Sequence, residues 1–160
     1  MSALWCVRLR EISLYLLKSF IGLTGINYTI IHKNTGKRLK TDSDLTKLVL
    51  IDGAIQPDHL WKLEESQKHP NYYYITNMVV NNAKVAIHSS YGVIYYEGAR
   101  YNDQLWKFVQ HGEKYEYRIV NLEFANHNLV PAADEKLSTS DEEFRSDQLW
   151  QLLNEMDYPC

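Results

Sequence analysis

The chain has 160 residues, of which 45% are hydrophobic and 23% charged, with 17 Lys and Arg against 20 Asp and Glu. A chain of this length buries about 68–70% of its unfolded surface, enough for one real core in a single domain. Its net charge of −3 supplies no basic field, so nucleic acid is not expected as a partner, nor an anionic membrane surface on charge alone. Residues 1–25 place Trp5, Leu9, Ile12, Leu16, Phe20 and Leu23 at steps of three and four, with Arg8, Glu11 and Lys18 off that stripe. This spacing predicts an amphipathic helical extension that Gly22 and Gly25 bring to an end. The stripe either packs on the domain that follows or engages a partner, and a membrane surface is expected only through it. After the charged Arg8, Arg10 and Glu11, its apolar run 12–17 is only six residues long before Lys18 breaks it, which is short for a secretory leader. No apolar run reaches the length of a membrane span. The chain therefore reads as cytoplasmic, or as exported by another route.

From residue 26 onward the sequence repeats itself. Asp58-His59-Leu60-Trp61-Lys62-Leu63, Asp103-Gln104-Leu105-Trp106-Lys107-Phe108 and Asp147-Gln148-Leu149-Trp150-Gln151-Leu152 are near copies whose tryptophans lie 45 and 44 residues apart. A second marker precedes each one: Tyr28-Thr29-Ile30-Ile31-His32-Lys33-Asn34, Tyr72-Tyr73-Tyr74-Ile75-Thr76-Asn77 and Tyr115-Glu116-Tyr117-Arg118-Ile119-Val120-Asn121. Taken on their closing asparagines, these are 43 and 44 residues apart. Two markers keeping one period three times over divide the chain into units of about 26–68, 69–112 and 113–153 within a domain spanning 26–160.

Each unit opens on a β-branched and aromatic run, turns, and continues through a short apolar stretch such as Arg38-Leu39 or Val85-Ala86-Ile87. A third run follows, Leu48-Val49-Leu50-Ile51 or Val93-Ile94-Tyr95-Tyr96, and the Leu-Trp strand closes the unit. Four strands in each of three units predict an all-β domain of about twelve strands. No unit can bury its apolar face alone, so the three close on a shared core with Trp61, Trp106 and Trp150 related by a pseudo-threefold axis.

Gln104-Leu105-Trp106 and Gln148-Leu149-Trp150 match the Gln-x-Trp signature, and with these residues the sequence resembles the ricin-B-type lectin family over roughly 26–153. The first unit departs from it, with His59 in place of the Gln. The resemblance implies a β-trefoil and a non-catalytic sugar-binding module whose partners are glycans or glycoproteins. It also implies, in each unit, an Asp ending the second strand, an aromatic platform near the third, and an amide before the Leu-Trp strand. Such a set works because a carboxylate accepts sugar hydroxyls, a ring packs on the sugar's C–H face, and an amide fixes its orientation. By position the Asp falls on Lys40, Ala86 and Val130, none of them acidic.

The second unit alone keeps an aromatic at the platform, with Tyr95 and Tyr96 ahead of Glu97, Tyr101, Asn102 and Asp103. The expected carbohydrate site is therefore Tyr96, Glu97, Asn102 and Asp103, shallow and weak. In the bland alternative Tyr95 and Tyr96 simply alternate between core and solvent, while Asn102 and Asp103 shape a turn. One site per chain calls for avidity, which a homo-oligomer held through the N-terminal stripe would supply. The rival reading is a protein-binding trefoil with Tyr91, Tyr95, Tyr96, Arg100 and Tyr101 as its hot spot. No cofactor, metal or catalytic residue is expected, because the six histidines show no metal-type spacing and Ser89-Ser90 beside His88 lacks a nucleophile's setting. Cys6 and Cys160 lie near opposite ends, and a bridge between them depends on compartment and on where those ends fall.

Overall fold

The computed structural model describes residues 26–42, 47–80, 83–89, 92–113, 115–125 and 127–154. The helix expected over 1–25, Tyr91 and both cysteines lie outside the described residues, and among those described there is no α-helix.

The runs rich in Tyr, Ile, Leu and Val form the strands. The first unit contributes β1 (Asn27–His32), β2 (Arg38–Thr41), β3 (Leu48–Ile51) and β4 (Leu60–Glu65). The second contributes β5 (Tyr73–Asn77), β6 (Lys84–His88), β7 (Gly92–Tyr96) and β8 (Leu105–Gln110). The third contributes β9 (Glu116–Asn121), β10 (Asn128–Pro131), β11 (Leu137–Ser140) and β12 (Trp150–Asn154). The first and last strands of each unit pair antiparallel in the ring β1–β4–β5–β8–β9–β12 and back to β1, a closed barrel without an open edge. The middle strands form the hairpins β2–β3, β6–β7 and β10–β11, each attached to the first strand of its own unit. A six-stranded barrel carrying three hairpins is a β-trefoil.

The tryptophans join barrel to hairpins. Trp61, Trp106 and Trp150 are fully buried, opposite Tyr28, Tyr73 and Tyr117 on the neighbouring strand. Each indole N–H donates to a second-strand carbonyl: Trp61 to Leu39 (3.0 Å), Trp106 to Val85 (2.8 Å) and Trp150 to Leu129 (2.9 Å). One side chain thus fills the core with its rings and ties the hairpin to the barrel with its polar handle.

The structure shifts one register read from the sequence. The threefold partner of Asn77 and Asn121 is His32 rather than Asn34, because Trp150 faces His32 as Trp61 faces Asn77 and Trp106 faces Asn121. Asn34 instead lies in the turn after β1, where its amide donates to Ser146 Oγ. His32 also does the work of the asparagines. Asn77 and Asn121 donate to the carbonyls of Asp58 and Asp103 (both 2.8 Å), and His32 Nε2 lies 3.1 Å from the carbonyl of Asp147.

The first unit's His59 has a similar explanation. Gln104 accepts from the Tyr101 N–H and donates to the Ala99 carbonyl, and Gln148 donates to the carbonyls of Glu142 and Glu143. His59 keeps the accepting half of this arrangement, its Nδ1 taking the N–H of Gln56 at 3.1 Å.

Candidate functional site

Three aspartates occupy equivalent places in 3-10 turns just before the Leu-Trp strands: Asp58 in Pro57–His59, Asp103 in Asn102–Gln104 and Asp147 in Ser146–Gln148. Their carbonyls are held alike, but their carboxylates are not. Lys40 Nζ lies 2.9 Å from Asp58 Oδ2, so the residue standing where the lectin family has its Asp neutralises the first-unit carboxylate. Arg145 binds Asp147 through its guanidinium and holds that carboxyl below the usual range. Asp103 has no ion-pair partner among the described residues; its Oδ1, like that of Asp58, is buried without a hydrogen bond. Burial pushes its carboxyl up from the ordinary value.

Asp103 opens into a cleft of about 560 Å³ whose lining includes Lys68, His88, Arg100, Tyr101, Asn102, Glu123 and Phe124. Glu123 and Phe124 follow β9, so the cleft is shared between the second and third units. At the other two family Asp positions, Ala86 and Val130 are buried apolar side chains. No galactose-type carboxylate stands at Lys40, Ala86 or Val130.

Of the four residues expected from sequence, Asn102 and Asp103 line this cleft together. Tyr96 stands beside it, 38% exposed, with its ring 6.3 Å from that of Tyr101, which is 55% exposed. Glu97 faces a different hollow, with Glu64, Lys84 and Arg100. The alternation of the tyrosines is observed. Tyr95 turns inward against Trp61, ring centroids 6.2 Å apart, and its hydroxyl donates to the Val80 carbonyl. Burial pushes the Tyr95 phenol up. Sequence reasoning missed the contributions of Glu123 and Phe124, because no local pattern signals a wall supplied by the next unit.

Gly98 sets the path of the chain between Tyr96 and Tyr101. Its φ of +136° is one that side-chain-bearing residues rarely adopt, and a β-carbon there would meet the Tyr96 ring at 3.2 Å. Gly98→Ala is expected to destabilise the domain by about 1–3 kcal/mol, read from the urea midpoint, and to displace Tyr96. An unchanged midpoint would show that this loop readily takes another path.

No family model and no curated protein matches the sequence. Solved structures do resemble the chain. BEL β-trefoil is 19% identical with a TM-score of 0.69, the match covering 84% of this chain and 96% of that one. SeviL, solved bound to asialo-GM1 saccharide, is 18% identical with a TM-score of 0.68, covering 81% and 98%. A GlcNAcα1-4Gal-releasing endo-β-galactosidase from Clostridium perfringens is 19% identical with a TM-score of 0.71; the match covers 81% of this chain but 32% of the enzyme. At these identities the likeness defines the class by fold: the chain is a β-trefoil protein.

Proposed function

We propose that this protein is a non-catalytic carbohydrate-binding domain whose neutral-sugar contact lies on the second unit, at Asp103, Asn102, Tyr101 and Tyr96. The observation that carries the reading is the carboxylate of Asp103. Two of the three equivalent aspartates are ion-paired with a neighbouring cation, whereas Asp103 lines a cleft and has no ion-pair partner among the described residues. A sugar hydroxyl donates to the unpaired Asp103 carboxylate, Asn102 offers an amide, and the exposed Tyr101 ring offers an apolar face. Glu97, turned to another hollow, has no part in this contact. Such a shallow site is worth about 4 kcal/mol, or roughly millimolar affinity, so binding is best sought on densely displayed glycans.

The relatives in shape support this reading, since SeviL was solved with a bound saccharide. The protein-binding alternative is weakened by its own proposed hot spot. Tyr95 is packed on Trp61, and Arg100 is spent on Glu64 at 2.6 Å and on the Tyr74 ring at 4.7 Å.

A dense glycan array tests the proposal, followed by titration of the best ligand against variants. Asp103→Asn and Tyr101→Ala are each expected to weaken binding about tenfold. Asp103→Asn should leave the thermal midpoint unchanged or slightly raised, because it removes a partly buried charge that has no ion-pair partner. Coherent array hits that neither substitution weakens would move the contact elsewhere on the trefoil. A blank array from folded protein would count against sugar binding itself.

A further inference from the structure

A second groove, of about 550 Å³, runs between β8, β9 and the loop before β12, lined by Tyr72, Lys107, Val109, Arg118, Glu143 and Phe144 among others. Its threefold counterpart is the hollow around Arg100 in the second unit. Tyr74 faces Glu64 across β4 and β5 as Arg118 faces Val109 across β8 and β9. Arg100 and Phe144 each stand six residues before their unit's tryptophan.

The two hollows use the same positions differently. In the second unit, Arg100 grips both oxygens of Glu64 (2.6 and 2.9 Å) and covers the Tyr74 ring, so cation, carboxylate and aromatic satisfy one another. In the third unit cation and aromatic have exchanged places, and the carboxylate is gone. Arg118 stands where the tyrosine was, Phe144 where the arginine was, and Val109 where Glu64 was.

The consequence is a cation without its counter-charge. Arg118 lies 6.0 Å from the centre of the Phe144 ring, and its Nε is buried with no hydrogen-bond partner. Lys107, exposed, lies 6.0 Å from the Tyr72 ring. Neither cation has a carboxylate partner among the described residues. Phe144 is backed by His111, ring centroids 3.9 Å apart, yet remains 43% exposed.

We infer that this groove is a second binding site, and that it takes a sugar bearing a single carboxylate, of the uronic or sialic acid type. The ligand's carboxylate takes the place of the missing Glu64 equivalent at the Arg118 guanidinium, in a charge-assisted bond. Lys107, which lines the same groove, adds attraction, and the sugar's C–H face packs on Phe144. The groove also sets a limit on charge. Asp141 and Glu143 line it and are exposed, while Glu142, which lines it too, is held by Arg145 at 2.6 Å. Those carboxylates accept sugar hydroxyls and repel further negative charge, which excludes dense polyanions and acidic peptides. The groove shares no residue with the Asp103 cleft, so either site can fail without the other.

The test is a titration of the isotope-labelled full chain followed by amide NMR, with glucuronate and the methyl glycoside of N-acetylneuraminic acid as probes. Their methyl esters, galactose, inorganic phosphate and tri-glutamate serve as comparators. Either acid sugar should shift the amides of Val109, Arg118 and Phe144, and its ester should bind at least about fivefold more weakly. Lys107→Gln, at an exposed position, should weaken the acid sugar about threefold or more without moving the thermal midpoint; Phe144→Ala should weaken it at least as much at a temperature where the variant is folded, whereas Asp103→Asn should leave it unchanged. Arg118→Gln should abolish the shifts. The inference is overturned if the acid sugars leave these amides unmoved, or if ester and acid bind alike. It is equally overturned if phosphate or tri-glutamate matches the sugars, which would make the groove a simple anion or peptide site.

Discussion

Trp106→Ala should cost about 3–5 kcal/mol from the emptied core volume, with about 1–3 kcal/mol more from the orphaned Val85 carbonyl. Trp106 is fully buried opposite Tyr73, and its indole N–H donates to Val85 at 2.8 Å. The β5–β6 pairing is a single register pair, Thr76 with Lys84, so the hairpin is held to the barrel largely by side chains such as Trp106 and Tyr95. Domains of this kind have about 5–15 kcal/mol of stability in total, so the variant should lose a large share of it, read as a drop in the urea midpoint. Trp106→Phe separates the two contributions. It restores most of the apolar volume but not the donor, and should recover more than half of the loss in the urea midpoint. If Phe recovered nothing, the hydrogen bond would be the dominant link and the core packing the lesser one.

The second large effect is acid sensitivity concentrated in the first unit. His32 and His59 stand where the other two units carry asparagine and glutamine, and both are buried. His32 suits the neutral ring with its proton on Nε2: that N–H donates to the Asp147 carbonyl at 3.1 Å, and Nδ1 accepts from the Thr35 hydroxyl at 2.9 Å. His59 Nδ1 accepts the Gln56 N–H, a bond that protonation there destroys.

Burial holds the pKa of both histidines below the ordinary 6.5, opposed at His32 by the Asp147 carbonyl and carboxylate. At His59 the Asp58 carboxylate, 3.7 Å away, opposes the shift, and Lys40 and Arg38 reinforce it. The unfolded chain therefore binds protons more readily than the folded one. Stability is fully present above about pH 6.5 and falls as the pH drops below that value toward the lowered folded-state pKa. Urea midpoints measured from about pH 7.5 to about pH 5 should decline in the natural protein. The decline should be smaller in His59→Gln and smaller again in His32→Asn/His59→Gln. Asp103, whose carboxyl is raised by burial, has the opposite dependence and loses its destabilising charge on acidification. A decline of equal steepness in the double variant would assign acid sensitivity to groups other than these histidines.

Much of this protein was legible in its sequence. The period, the strand pattern and the structural role of the three tryptophans depend on residues close together in the chain and on alternation along each strand. Such features survive without knowledge of distant partners. The inward turn of Tyr95 beside an outward Tyr96 follows from the same alternation. The Arg145–Asp147 pair, two residues apart, was also within local reach.

Tertiary structure decided the rest. Lys40 and Asp58 meet across a hairpin and a loop, and only that meeting shows that the first-unit carboxylate is neutralised. Phe124 and Glu123 reach the Asp103 cleft from another unit, while Glu97, near Asp103 in sequence, faces a separate hollow. His32 takes the asparagine's place because Trp150 lies opposite it in the closed barrel. Arg118 stands without a carboxylate because the residue facing it is Val109. Repetition along the chain determined which positions are equivalent; the charges and hydrogen bonds brought to those positions through space determined how they differ, because electrostatic pairing depends on separation in three dimensions.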